Sequence, residues 1–144
     1  MTARHSDEIK KVATMMKGLD FCMMTTHAAD DGGMRARPMS NNGEVEFDGD
    51  VWFFSGDDTR KVADIEAEPS VQLSYADIEN FRFLSMTGTA TIVRDAGKKR
   101  ELWMEELERW FDDGPDSDEI VLIKVTPTVV EYWNGEEQGE IVLD

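Results

Sequence analysis

The fold is decided by one stretch of the chain, residues 51–61, with the sequence VWFFSGDDTRK. The β-branched and aromatic run Val51–Ser55 predicts a strand, which the Gly-Asp-Asp that follows breaks. From Thr59 to Glu68 the apolar spacing predicts a short helix, and Pro69 ends it. A strand is therefore expected to turn directly into a helix that begins with two cations.

Short β-prone segments lie on both sides of this stretch, and most are joined by turns rich in Gly, Asn and Asp. No strand-helix-strand rhythm is present, which argues against a doubly wound nucleotide-binding fold. The pattern predicts a mainly β protein, an antiparallel barrel or sheet with a few helices packed on it. The predicted strands are Phe21–His27, Met34–Ser40, a segment around Val45 and Phe47, Ser70–Tyr75, Phe83–Val93 with a bulge at Gly88, Glu119–Val125, and Val129–Trp133, the last two joined near Pro127.

Two longer helices are expected outside these strands. The first begins at Ser6, which is a good capping residue, and ends at Gly18. The second spans Asp95–Phe111. The total of 144 residues predicts a single domain covering 1–144.

The net charge is −16, and it is unevenly distributed. The first 100 residues carry 17 acids and 13 bases, whereas the last 44 carry 14 acids and 2 bases. An acidic chain repels phosphate backbones and anionic lipid, so nucleic-acid and membrane-surface partners are not expected. Because the first 100 residues are nearly balanced, a small anionic ligand is not excluded.

Several classes of site lack the residues that they require. Cys22 is the single cysteine, which excludes an intramolecular disulfide, and we expect it to be a small apolar strand residue. With only His5 and His27, a histidine metal site or a Ser-His-Asp triad is not expected. No Gly-rich phosphate loop, apolar membrane span or signal peptide is recognisable, so we predict a cytoplasmic protein without a metal site.

Two pairs of cations have settings that suit an anion. Arg35 and Arg37 are two apart on a predicted strand, so both guanidinium groups project to one face. Arg60 and Lys61 open the predicted helix, where free N–H groups favour a phosphate. The alternative is that each pair lies on a solvated surface.

The four tryptophans are by default core or interface residues, because aromatic side chains bury large areas. Trp133 is the most informative, since it lies where a predicted strand meets the turn at Gly135.

At these residues the chain resembles the FMN-binding split barrels of the pyridoxamine 5′-phosphate oxidase-like family, and most of all their general stress protein branch. The likeness covers about residues 8–135, with its motifs in the same order. Those motifs are Arg35–Met39, Trp52–Ser55 followed by Thr59–Lys61, Met86–Ala90, and Val125–Pro127 followed by Glu131–Gly135.

The resemblance implies a six-stranded antiparallel split barrel that forms a homodimer, with two FMN sites at the subunit interface. It places Arg60 and Lys61 on the FMN phosphate, with a hydroxyl from Ser55 or Thr59 and additional reach from Arg35.

The same resemblance implies which residues accompany the flavin ring. Arg37, Pro38 and Met39 would run alongside it, mainly through backbone contacts, and Phe53 and Phe54 would line the same pocket. Trp133 would approach from the partner subunit, and Trp103 is a weaker candidate for that interface.

The sequence departs from the true vitamin oxidases where those enzymes grip pyridoxal phosphate. The Arg and His residues expected after the Trp-Asn-Gly segment are replaced by residues 136–140, EEQGE, which would repel a phosphorylated substrate. Phe83 or a neighbour replaces a family glutamine. A flavin-dependent oxidoreductase acting on an unknown small molecule is therefore expected, and not a pyridoxamine phosphate oxidase.

Three alternatives remain open at this point. The chain could hold or sense FMN without turnover, as a stress protein. It could keep the barrel and bind haem or a deazaflavin, although scarce histidine counts against haem. It could also be a structural dimer whose cation pairs are solvated.

Overall fold

The computed structural model describes residues 6–41, 46–111 and 114–143, apart from the side chain of Glu106. The elements are α1 (Ser6–Met16), β1 (Phe21–His27), β2 (Met34–Ser40), β3 (Val51–Gly56), α2 (Arg60–Ala67), β4 (Ser70–Asp77), β5 (Arg82–Val93), α3 (Ala96–Leu102), a 3-10 helix (Glu105–Arg109), β6 (Ile120–Asn134) and β7 (Glu137–Val142).

The strands form one antiparallel sheet that curls without closing. Its order is β2-β1-β4-β5-β6-β3, and β7 pairs with the C-terminal half of β6. No described residues pair β2 with β3, so the barrel is split between them. The predicted mainly β split barrel is confirmed. The seventh strand, β7, was not predicted, because Ile141 is its only buried residue and its polar sequence resembles a tail.

The barrel interior follows from alternation along each strand. In β1 the side chains of Cys22, Met24 and Thr26 are buried, while Phe21 and Met23 face outward. Burial raises the pKa of the Cys22 thiol to about 12, which suits the apolar role predicted for it. The face that contains Met23 is called the outer face below.

One long strand replaces the two that were expected near Pro127. β6 runs without interruption from Ile120 to Asn134, and the register with β5 shifts between Thr87 and Gly88. A side chain at position 88 would come within 2.8 Å of the Cα of Pro127, so only glycine fits there. The predicted bulge at Gly88 is confirmed, and it lets the strand continue past the proline.

The helix predicted over Asp95–Phe111 is shorter than expected. Trp103 has an extended backbone (φ −66°, ψ 140°) and separates α3 from the 3-10 helix. Its ring packs edge-on against Phe54 with 5.3 Å between the ring centroids, so tertiary packing overrides helix propensity here. Among the described residues, no helix is long and apolar enough to cross a membrane.

The segment predicted as a strand around Val45 and Phe47 is only partly described. Val45 lies outside the described residues, whereas Phe47 is buried in the core and belongs to no strand. At the other end of the chain, Ser6 is the first described residue and already lies in α1, so its predicted capping role is not tested. The left-handed conformation of Gly18 (φ 83°) follows the end of α1, as predicted.

Candidate anion-binding site

The two predicted cation pairs meet at one end of the barrel. Arg35 and Arg37 lie on β2 opposite Thr26 and Met24 of β1, so both point to the inner face of this edge strand, as predicted. The Nη1 atom of Arg37 donates to the Thr26 hydroxyl at 2.8 Å and to the Met24 carbonyl at 3.2 Å. These bonds orient the guanidinium group along the strand.

Arg60 and Lys61 form the start of α2, directly after β3. Burial lowers the pKa of Lys61, and the positive charge of Arg37 lowers it further. The pKa of Arg37 is lowered by burial in the first place, and the charges of Arg35 and Arg60 act in the same direction. The four side chains, called the cation cluster below, are therefore close enough to repel one another.

A cluster of cations of this kind attracts negative charge. Half-buried cations that also repel each other are stabilised when an anion binds among them. Lys61 forms no ion pair with any described residue, so its ammonium group is free to meet a ligand. The cluster thus has the chemistry of a phosphate or carboxylate site.

The hydroxyl groups near α2 are arranged around Gly56. Thr59 occupies the capping position, but its side chain makes no bond to the first turn of the helix. Its Oγ1 donates instead to the Gly56 carbonyl at 3.0 Å and lies 3.2 Å from the Oγ of the buried Ser55. The first N–H groups of α2 therefore have no side-chain cap and point toward the same end of the helix as the cations.

Carboxylates that were not predicted for the site also meet the cluster. Residues 28–33, called the acidic turn below, join β1 to β2 and bring Asp31 to within 3.0 Å of Arg35 and Asp30 into an ion pair with Arg60. The bonds from Arg35 and from the Gly33 N–H hold the pKa of Asp31 at about 2. The pairing could not be read from the sequence, because Asp30 and Arg60 are 30 residues apart.

A buried carboxylate, Asp64, lies on α2 beneath the cluster. Its side chain is 2% exposed, and its Oδ1 accepts from the Ala29 N–H at 2.9 Å. Its Oδ2 has no hydrogen-bond partner among the described residues. The charge of Asp64 opposes the lowering of the Arg37 pKa.

The residues expected beside a flavin ring are split between two faces. Met39 is buried in the core, while its neighbour Pro38 faces outward opposite Met23. Phe53 is 1% exposed and points into the barrel, whereas Phe54 points to the other face of β3 and contacts Trp103. The two phenylalanine rings therefore point to opposite faces of β3, because neighbours on a strand alternate, and their place beside a flavin ring stays a prediction.

Trp133 is not brought to the cation cluster within one chain. It lies on the outer face of β6 opposite Phe83, four strands from β2 in the sheet order. Its side chain is 37% exposed, so it remains available to a second molecule.

Comparison with known proteins agrees with this architecture. The family model described as "Pyridoxamine 5'-phosphate oxidase like" matches residues 7–143, nearly the whole chain. The chain belongs to the pyridoxamine 5′-phosphate oxidase-like family. General stress protein 26 of Bacillus subtilis is 31% identical over 90 residues, which are 60% of this chain and 64% of that protein. The matched regions span 64% of the length of the curated relatives, less than two thirds.

Solved structures share the fold of this family member. A Clostridium acetobutylicum protein related to general stress protein 26 has a TM-score of 0.79 at 18% identity, over 96% of each chain. The general stress FMN/FAD binding protein of Xanthomonas citri has a TM-score of 0.75 at 21% identity, over 92% of each chain. At these identities the structures establish the split-barrel fold.

Two cavities of this family member lie apart from the cation cluster. One is apolar and lies between β3 and the segment 102–107, against Trp52 and Phe54. The other is a cleft of about 520 Å³ beside the loop 56–58 and Trp110. None of the four cations lines either cavity, and the described residues contain no His, Cys, Asp and Glu group that could hold a metal ion.

Proposed function

We propose that this chain binds FMN between two copies of itself and acts as a flavin-dependent oxidoreductase on a small molecule yet to be identified. The observation that carries the proposal is the cation cluster at the start of α2, in which Arg37 and Lys61 are half-buried and form no ion pair with a described residue, although the charges of Asp64 and Asp58 act on them. The likeness to a Xanthomonas citri protein named for FMN/FAD binding supports a flavin as the ligand.

The donor set fits the phosphate of FMN. Lys61 offers an ammonium group, and the uncapped N–H groups of α2 offer a dipole of the right sign. The bonds to the Thr26 hydroxyl and the Met24 carbonyl hold the guanidinium group of Arg37 in place, and its other N–H groups can donate to a phosphate. When bound, the flavin would supply the redox chemistry, and the protein would supply anchoring, orientation and exclusion of water.

The second copy is suggested by the outer face of the sheet. The face carries Phe21, Met23 and Met34 at one side and Trp133 at the other, all exposed. Large apolar side chains exposed together mark an interaction surface. We propose that a second copy packs on this face and completes the site at the open edge formed by β2, where the partner subunit's Trp133 reaches the ring of the flavin. Neither of the two cavities described above contains both the cations and an aromatic wall.

The true vitamin-oxidase activity is not part of the proposal. β7 begins with Glu137 and carries Glu140, both exposed, where an enzyme for a phosphorylated pyridoxamine needs cations. Negative charge at that position would repel the substrate phosphate. The substrate is therefore expected to be uncharged or cationic at the end that faces β7. Cytoplasmic location is part of the same proposal.

The second candidate function is an FMN-holding or FMN-sensing stress protein without turnover. No histidine lies among the residues that form the cluster, its hydroxyl groups or the acidic turn, so the commonest general acid or base is missing from them. An enzyme that relies on the flavin alone needs no such group, so both functions fit the geometry.

The first experiment is an absorption spectrum of the purified protein, with mass analysis of the released ligand. A flavin spectrum and the mass of FMN are expected, and haem or a deazaflavin would be recognised by the same data. Colourless protein that also fails to bind added FMN would remove the proposal. Anaerobic mixing with NADH or NADPH then separates the two functions, because only an enzyme bleaches its flavin and recovers it with an acceptor.

A further inference from the structure

The acidic turn forms ion pairs with two of the four side chains of the cation cluster. Asp31 pairs with Arg35, and Asp30 pairs with Arg60 while also lying 3.8 Å from Arg35. Arg37 and Lys61 have no ion-pair partner in the described part of the chain. The cluster is thus divided into an outer pair, Arg35 and Arg60, and an inner pair, Arg37 and Lys61.

The turn is built to keep these carboxylates in place. The Ala28 N–H donates to the Gly33 carbonyl at 2.8 Å, and the Gly32 N–H donates to the Ala28 carbonyl at 3.0 Å. The Ala29 N–H is bound by the buried Asp64, which lies one helical turn after Arg60 on α2. The position of Asp30 beside Arg60 therefore follows from the backbone of the turn and its attachment to α2.

A phosphate group at the start of α2 would meet this arrangement directly. The carboxylate of Asp30 and a phosphate both accept hydrogen bonds from a guanidinium group, and their negative charges repel each other. The cluster contributes four positive charges, and four carboxylates act on it, those of Asp30, Asp31, Asp58 and Asp64. The local excess that a ligand experiences is much smaller than the four cations suggest.

We propose that the acidic turn is an internal competitor for the anionic ligand of this site, and that Asp30 must release Arg60 when a phosphate group binds. Asp30 and Asp31 then lower the affinity for every phosphate ester and leave the affinity for an uncharged ligand unchanged. The inference rests on the proposed function only in taking the ligand to be a phosphate ester. It makes the acidic turn a determinant of how tightly and how selectively the site holds its ligand.

The test compares FMN with riboflavin, which lacks the phosphate. Asp30→Asn is expected to tighten FMN binding roughly fivefold, the scale of one exposed charge pair, and to leave riboflavin binding unchanged. Asp116→Asn is the matched control, because it also removes a carboxylate from an exposed ion pair, with Arg100, on a different part of the surface. FMN affinity that is equal in wild type and Asp30→Asn would overturn the inference.

A second background distinguishes competition from a general charge effect. In the Arg60→Gln protein, Asp30 has lost its closest guanidinium partner and keeps only the longer contact with Arg35, at 3.8 Å, so Asp30→Asn is expected to add less than twofold. A full fivefold gain in that background would contradict direct competition for Arg60.

Inorganic phosphate separates this inference from the proposed function. Titration is followed by the NMR signals of the arginine side chains in wild type and Asp30→Asn. If FMN fails to bind but phosphate shifts the Arg60 signal and half-saturates Asp30→Asn at a lower concentration, the proposed function fails and the inference stands. If phosphate leaves the Arg60 signal unmoved, or if both proteins half-saturate together, the inference is overturned.

Discussion

The inner and outer pairs of the cation cluster have the same charge and different surroundings. Arg37 and Lys61 are half-buried, and burial lowers both of their pKa values. Arg35 and Arg60 lie nearer to solvent and are matched by the acidic turn. A cation that already has a carboxylate gains little from a second anion, whereas one that is desolvated without a partner gains much.

This difference in surroundings predicts how much each of the four cations contributes to ligand affinity, although their positions in the sequence are equivalent. Each pair consists of one residue from β2 and one from α2, so neither strand nor helix position separates them. What separates them is the approach of the acidic turn, which covers the solvent side of the cluster. We therefore expect the inner pair to supply most of the affinity for FMN, and the outer pair to tune it.

The largest effect is expected from Lys61→Glu. The substitution replaces an unpaired cation with an anion beside the phosphate, so FMN affinity should fall by a factor on the order of a hundred or more. Fluorescence titration of FMN measures it. Lys17→Glu is the matched control, because Lys17 is exposed just after α1 and the change in net charge is the same.

Unchanged affinity in Lys61→Glu would place the phosphate elsewhere and break the distinction between the two pairs. Loss of affinity in both variants would point to net charge and not to the site. Thermal unfolding of each variant shows whether the barrel is intact.

The sequence predicts two cations on β2 and two at the start of α2. It does not predict which of these four cations contributes most to ligand affinity. The alternation in β2 and the turn into α2 depend on local spacing, so both cation pairs and their shared region were accessible from the sequence. The Asp30–Arg60 pair and the Asp64–Ala29 bond join residues 30 and 35 positions apart, and only the assembled sheet brings them together.

The secondary-structure elements that the sequence did not predict correctly have a similar explanation. Trp103 breaks a helix that is favourable locally, because its ring finds Phe54 on a distant strand. β7 is polar along most of its length, and it is a strand because it pairs with the exposed end of β6. In each case a long-range contact overrides the local pattern.

A smaller and more direct test compares Arg37→Gln with Arg60→Gln. Arg37 forms no ion pair with a described carboxylate, so its guanidinium group can bind the phosphate without breaking one, and FMN affinity should fall roughly tenfold when it is removed. Arg60 must break its ion pair with Asp30 before it can bind the phosphate, so its net contribution is small and its removal should cost about twofold or less. Titration of FMN and of riboflavin into both proteins measures the ratio, and riboflavin should bind equally to both. If the two variants lose the same affinity, burial and pairing do not rank the cluster.

The smallest expected effect is the pH dependence of FMN binding. It distinguishes the contribution of Lys61 from those of the three arginines, whose side chains stay charged. Burial lowers the pKa of Lys61, so its ammonium group loses its proton at a lower pH than an exposed lysine does. Only the protonated form attracts the phosphate, so FMN affinity should decline by a few-fold as the pH rises toward the ordinary lysine pKa of about 10.4. At pH values well below the pKa of Lys61 its side chain is charged, and FMN affinity should not change with pH.

In Lys61→Arg the side chain stays charged throughout, because a guanidinium group does not titrate there, and the decline should disappear while the affinity near neutral pH is retained. A decline of equal size in both proteins would assign the titration to another group, and it would remove Lys61 from the inner pair.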